Sequence, residues 1–253
     1  MKRLQNIKVK WQPLSLLASL VVIWQLISSL GLVEKFILPS PLSVAKTFYS
    51  EFGILASYSV YTLTEAFIGL FISIALGYAA AVSMDRFGYC KKALYPLLVL
   101  SQTVPYIAIA PLLVLWFGFG MAPKIILVSL TCFFPLAVNI HDGICGIRQE
   151  YIDELKVMGG GYFKGIIFVK LPLSLPGFFT AIKIATTYSI VGAVISEWIG
   201  GTHGLGVYMT RVRRSYEFDK MFAVIAFVVL ISLLLITLIK IIERKVHKHV
   251  DLF

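Results

Sequence analysis

Charge is scarce in this sequence of 253 residues: Asp, Glu, Lys and Arg together make up 14%, against about 25% in ordinary soluble domains. Cysteine is scarcer still. Cys90, Cys132 and Cys145 show no C-x-x-C spacing, which argues against both a disulfide frame and a cysteine-based metal site. The four histidines form no H-E-x-x-H pattern, so the usual zinc hydrolase signature is missing too. No Gly-Lys dipeptide occurs anywhere. Without it there is no G-x-x-x-x-G-K-[ST] loop, whose backbone amides cradle nucleotide phosphates. Gly160-Gly161-Tyr162-Phe163-Lys164-Gly165 is rich in glycine but lacks the lysine and hydroxyl that should follow. If ATP drives this protein, the hydrolytic residues come from another chain.

What the sequence has in abundance is apolar residues, 58% of the total. They are gathered rather than dispersed. A spanning helix needs roughly 20 mainly apolar residues to cross about 30 Å of hydrocarbon. Six windows qualify, at about 14–33, 57–84, 93–117, 124–144, 174–199 and 219–242. Leu38-Pro39-Ser40-Pro41, Asp85-Arg86, Gly118–Pro123, a polar stretch around 149–172 and Gly200–Asp219 separate them. The expected fold is all-α and integral to the membrane, with six transmembrane helices. Its expected organisation is a tail, first span and outer loop over 1–54, a core over 55–243, and a basic tail over 244–253. The first window follows Lys2, Arg3, Lys8 and Lys10 but shows no A-x-A cleavage pattern, so a retained anchor helix is expected rather than a signal peptide.

The net charge of +10 is expected to orient the chain in a bilayer rather than to bind nucleic acid. Lys and Arg are retained in cytoplasmic loops. With both ends inside, fifteen of the 23 Lys and Arg fall in cytoplasmic segments, seven in outer ones, and Lys183 lies within the fifth window. That asymmetry places both termini, and the 149–172 stretch, in the cytoplasm.

Within that stretch, Gln149 to Met158 reads as a short amphipathic helix. Tyr151, Leu155 and Met158 recur at i, i+4 and i+7 beside Ile152, while Glu150, Asp153, Glu154 and Lys156 fill the rest. At about 1.5 Å per residue it is too short to cross a membrane. Gly159-Gly160-Gly161 should end it, since glycine accepts the left-handed conformation of a helix stop. Pro172 suits the first turn of the following helix. Such an element either lies on the membrane surface or offers its apolar face to a groove on another protein.

The spacing carries a resemblance. Asp153-Glu154-Leu155, three residues, Gly159, nine residues, then Val169-Lys170-Leu171-Pro172 resembles the loop of bacterial ABC importer permeases that reads E-A-A, three residues, Gly, nine residues, I-x-L-P. "ILPSP" (37–41), "VPYIAIAPLLVLWFGFG" (104–120) and "GAVISEWIGGTHGLGVYM" (192–209) look like the sulfonate, nitrate and thiamine-precursor branch of the same family. The resemblance implies a non-enzymatic translocation subunit without a cofactor. It would work as a pair of permeases with two ATPase subunits and an extracytoplasmic solute-binding protein, in a bacterial cell membrane. It further implies that Tyr151, Asp153, Glu154, Leu155, Met158, Gly159, Leu171 and Pro172 form the contact with the ATPase, with Glu154 and Leu155 standing where the family has small alanines.

Polar groups inside spans mark the expected path of a solute. Glu65 heads a stripe of small residues, Gly69, Ser73, Gly77 and Ala81, which should pack closely on other helices. Lys183 lies at a comparable depth in the fifth window, so either the two pair or the lysine stem snorkels to the cytoplasmic surface. Ser101-Gln102-Thr103 precede Pro105, where a helix break is expected, and Asn139 follows Pro135 in the fourth window. Arg211, Arg213 and Arg214 suit either lipid headgroups or an acidic patch on a binding protein. A path rich in aromatics and poor in fixed cations favours a neutral heterocycle, such as a thiamine-pyrimidine precursor. A sulfonate, nitrate or taurine-like anion is the alternative substrate, and an ion-driven secondary carrier is the alternative of another class.

Overall fold

The computed structural model describes residues 11–34 and 36–250. Helix α1 (Trp11–Ser29) is followed by α2 (Pro41–Arg86), α3 (Gly88–Ser101), α4 (Tyr106–Phe117) and α5 (Met121–Cys145). A short α6 (Gln149–Val157) and a single turn α7 (Tyr162–Gly165) lead through a π-helical turn (Ile166–Lys170) into α8 (Leu171–Gly200). Helices α9 (Leu205–Arg214) and α10 (Phe218–Val250) complete the chain. No strand occurs among the described residues.

Five segments are long and apolar enough to cross a membrane: 11–29, 41–86, 121–145, 162–200 and 218–246. The sixth expected span, 93–117, is not a single rod. Helices α3 and α4 meet at an angle of 102° across Gln102–Pro105. Pro105 has no N–H to continue α3, and proline restricts the residue before it as well. Helix α2 extends beyond its expected window, from Pro41 to Arg86. Ser40 caps it by accepting a hydrogen bond from the Ser43 amide, with Pro41 in the first turn. The outer loop is correspondingly short.

The centre of the molecule is the packing of α2, α5 and α8, and the stripe of small residues on α2 makes it possible. Gly69 lies against Val128 so closely that a Cβ there would sit 2.5 Å from a Val128 methyl. One turn on, Ser73 Oγ bridges the Gly69 and Ser129 carbonyls at 2.7 and 2.8 Å. Gly77 meets the Leu136 Cβ and the Ala137 backbone. Between α5 and α8 the same role falls to Gly143 and Gly177, whose backbones touch, and to Gly192 beside Thr131. In hydrocarbon there is no hydrophobic drive between helices, so such close approach supplies the attraction. Helix α1 stands apart, with Leu16, Leu17, Leu20, Val21, Val22 and Leu26 exposed. It is tied by Trp24, which donates to the Pro39 carbonyl at 3.0 Å and packs on Phe222.

These contacts predict opposite signs for two glycine substitutions. Gly69→Ala must displace Val128 and is expected to lower stability by about 1–3 kcal/mol. Gly53→Ala meets nothing within 4 Å in the same helix and should raise stability by about 0.5–1 kcal/mol. Thermal unfolding of the purified protein in detergent checks both.

Candidate functional site

The 149–172 loop forms the expected short helix. Helix α6 runs to Val157, and Met158 closes it with its amide donating to the Glu154 carbonyl at 3.1 Å. Gly159 takes φ +77°, the left-handed stop that glycine supplies without strain. Asp153 accepts from Lys156 Nζ at 2.9 Å and Gln149 Nε2 at 3.1 Å. The Lys156 bond, then the Gln149 bond, hold its carboxyl below the usual carboxylate range, so it is charged at neutral pH.

The apolar residues of the loop divide into two sets. Ile152 and Leu155 are half-buried, and Leu155 fills the space that a side chain at Gly160 would need. Tyr151 is exposed on the helix, and Val157 and Met158 at its tip are 90% and 83% exposed. A tip of bare apolar residues surrounded by Asp153, Glu154 and Lys156 is what a partner protein can cover.

The return from the loop is braced against α2. Asp85 accepts from Lys170 Nζ at 2.7 and 2.5 Å and from the Tyr162 hydroxyl at 3.1 Å. Arg86 lies 4.4 Å from the centre of the Tyr162 ring, a cation–π distance. Leu171 and Pro172 enter α8 immediately after the π turn. There the Leu171 amide donates to Ile166, and Pro172 brings no N–H for the Phe168 carbonyl. Sequence reasoning treated Asp85 and Lys170 only as loop charges. The pairing of residues 85 apart leaves no local signal.

In the interior the structure replaces one expected pairing with two others. Glu65 does not meet Lys183. Lys124 Nζ donates to Glu65 Oε1 at 2.6 Å, and both side chains are almost wholly buried. Lys183 instead reaches both carboxylate oxygens of Glu243 at 3.0 Å. The reason is helix geometry: α5 packs along α2 beside Glu65, whereas Lys183 sits toward the loop end of α8, within reach of the polar end of α10. Pro123 and Lys124 both belong to the first turn of α5.

Glu197, which the sequence suggested only as part of a span boundary, is also buried. It accepts from Thr62 Oγ1 at 2.7 Å and from the Gly206 amide at 2.5 Å. Thr62 in turn accepts from the Leu205 amide at 2.9 Å. Helix α8 thus caps the start of α9, where Gly204 and Gly206 leave no room for a Cβ beside the carboxylate. On α9, Arg211 bonds the Tyr58 hydroxyl at 2.9 Å, while Arg213 and Arg214 are exposed.

A cavity of about 310 Å³ opens between the α3–α4 break, α5 and α8. Gln102 and Tyr106 come from the break, Thr131 and Pro135 from α5, and Tyr188 and Gly192 from α8. Of the polar residues expected along a path, only Gln102 lines it. Ser101 and Thr103 bond back to the Leu98 and Leu100 carbonyls at 2.7 Å, and Asn139 to the Pro135 carbonyl at 2.7 Å. Short hydroxyl and amide side chains in helices often satisfy themselves locally. Tyr106, Thr131 and Tyr188 were missed, since an aromatic or threonine in an apolar run carries no sign of which wall it forms.

Residues 73–248 match the family described as "Binding-protein-dependent transport system inner membrane component". A probable ABC transporter permease protein of Haemophilus influenzae is 35% identical over 88% of this chain and 91% of that protein. The formylaminopyrimidine transport permease protein ThiX of Halalkalibacterium halodurans is 34% identical over 92% of this chain and 93% of its own length. Among solved structures, an inward-facing form of the MetNI methionine ABC transporter superposes with a TM-score of 0.68 at 19% identity. That match covers 76% of this chain and 96% of that one, and it supports the fold.

The buried ion pair generates a test. Lys124→Met leaves Glu65 without its partner and is expected to cost about 3–5 kcal/mol, whereas Glu65→Gln combined with Lys124→Met should recover most of it. Exchanging charges between Glu65 and Lys183 should rescue nothing. Thermal stability and membrane yield of the three variants distinguish these outcomes.

Proposed function

This chain belongs to the family of binding-protein-dependent transport system inner membrane components and is a translocation subunit of an ABC importer, not an enzyme; from that premise we propose how it couples to its ATPase. Helix α6 is the lever. Val157 and Met158 insert into a groove on the ATPase subunit, with Tyr151 beside them and Asp153 and Glu154 at the polar rim. Leu155, Gly159 and Gly160 fix the shape of the tip. Leu171 and Pro172 carry its displacement into α8, and the Asp85–Lys170–Tyr162 brace carries it into α2.

Two copies of this chain act together with two ATPases, in a bacterial cell membrane with both termini and α6 in the cytoplasm. Closure of the ATPases on ATP draws the two levers together and turns the cavity from one face of the membrane to the other. The solute is a small organic molecule, and a thiamine-pyrimidine precursor or similar heterocycle is favoured. The similarity to a formylaminopyrimidine permease supports that choice over a sulfonate, nitrate or taurine-like anion. Arg213 and Arg214 face the extracytoplasmic side, where a solute-binding protein delivers its load.

The observation that carries the coupling role is the exposure of Val157 and Met158 at the end of a charged helix. Leaving two such side chains in water has no local compensation, and covering them stabilises a complex. A cysteine at Met158, with Cys90, Cys132 and Cys145 replaced, should cross-link to the ATPase in native membranes. Met158→Asp should reduce ATP-driven uptake by about tenfold or more. Labelling of that cysteine only from outside the cell would overturn the proposal.

A further inference from the structure

The cavity between the α3–α4 break, α5 and α8 has a lining that selects among solutes. Among the described residues, no Lys, Arg, Asp or Glu lines it. An anion held there would surrender its hydration with no fixed cation in return, which apolar surroundings penalise heavily. The polar groups present are all neutral: the Gln102 amide, the Thr131 hydroxyl and the phenols of Tyr106 and Tyr188. Thr131 Oγ1 already donates to the Val128 carbonyl at 2.8 Å, so toward a ligand it acts as an acceptor. Pro135, also in the wall, has no N–H to offer the Thr131 carbonyl, which frees a second acceptor on the same turn. Gln102 supplies both a donor and an acceptor. Together these groups match a ring that carries both ring nitrogens and N–H groups.

Size and shape point the same way. A volume of about 310 Å³ lies at the lower end of the range for small-molecule pockets, roughly 300–1,000 Å³. Two tyrosines on different helices, Tyr106 on α4 and Tyr188 on α8, offer flat faces for stacking, which aromatic pairs favour in offset or edge-on geometry. Gly192 lets α8 come close to α5 at this wall, because a Cβ there would lie 3.0 Å from Thr131 Oγ1. The cavity also sits at the one break among the described spans. There α3 and α4 can change their angle without unwinding a continuous helix.

We infer that this cavity is a contact site for an uncharged, single-ring nitrogen heteroaromatic, recognised by Gln102 and Thr131 at its edge and by Tyr106 and Tyr188 on its faces. This rests on the reading of the chain as an importer permease, and it assigns to the permease itself a share in solute selection. The site is built to be weak: two stacking faces and a few neutral hydrogen bonds let a solute enter and leave.

The test uses the complete permease–ATPase complex in lipid vesicles, without a binding protein, and a Val191→Cys variant with the three native cysteines replaced, since Val191 lines the cavity but contributes no recognition group. Formylaminopyrimidine at millimolar concentration should slow maleimide modification of that cysteine by about fivefold or more, a concentration suited to a weak site. Taurine should not slow it. Adding Tyr106→Ala or Tyr188→Ala should abolish the protection, whereas Tyr106→Phe and Tyr188→Phe, which keep the ring, should retain it within about twofold. Protection by taurine in place of the pyrimidine would overturn the solute class. Absence of protection by either, or protection indifferent to both alanine variants, would overturn the site. The Met158 cross-link to the ATPase is read on a separate variant, so its loss marks failure of the importer reading and not of the cavity.

Discussion

Everything in this molecule depends on how near α2 can come to α5. Lipid gives helices no reason to associate, so contact must come from the backbones meeting where side chains are small. Gly69, Ser73 and Gly77 provide that contact along α2, with Val128, Ser129 and Leu136 opposite. Once the two helices touch, the outer part of their interface is narrow enough for Lys124 to reach Glu65 and for both to be shut away from solvent. A wider crossing would leave each charge alone in a poorly polar environment, at a cost of several kcal/mol.

The same region organises the hairpin between α8 and α9. Glu197 takes up the free amide of Gly206 at the start of α9, and Thr62 links that bond to α2. A carboxyl oxygen at a helix N-terminus accepts from amides that the helix itself leaves unsatisfied. Two buried carboxylates and one ammonium thus tie α2, α5, α8 and α9 into one unit. Glu65 and Lys183, expected along a solute path, each hold an ion-pair partner, and among the described residues the cavity beside the α3–α4 break is lined by uncharged side chains.

At the other end the connection is lighter and suited to movement. Helix α6 lays Leu155 over Gly160 and Gly165 of its own loop, and the return segment is fixed by Asp85, Lys170 and Tyr162. The π turn at 166–170 stands between this brace and the long α8. Irregular turns of this kind often occur where a helix has a mechanical role. Under the coupling proposed above, force applied at Met158 would pass to α8 directly and to α2 through Asp85, and both helices border the core that the small residues hold together.

The sequence by itself determined the helical class, the six apolar stretches, the break before Pro105 and the short polar helix with its glycine stop. Each of these is set by local chemistry, namely run length, the missing proline N–H and glycine's freedom at positive φ. Which charges meet was decided only by tertiary structure. Glu65 had two lysines to choose from on chemical grounds, and the crossing of α2 with α5 selected Lys124, while α10 supplied Glu243 for Lys183. The cavity was hidden for the same reason. Gln102, Thr131 and Tyr188 stand far apart along the chain, and nothing in their neighbours records that three helices bring them to one wall.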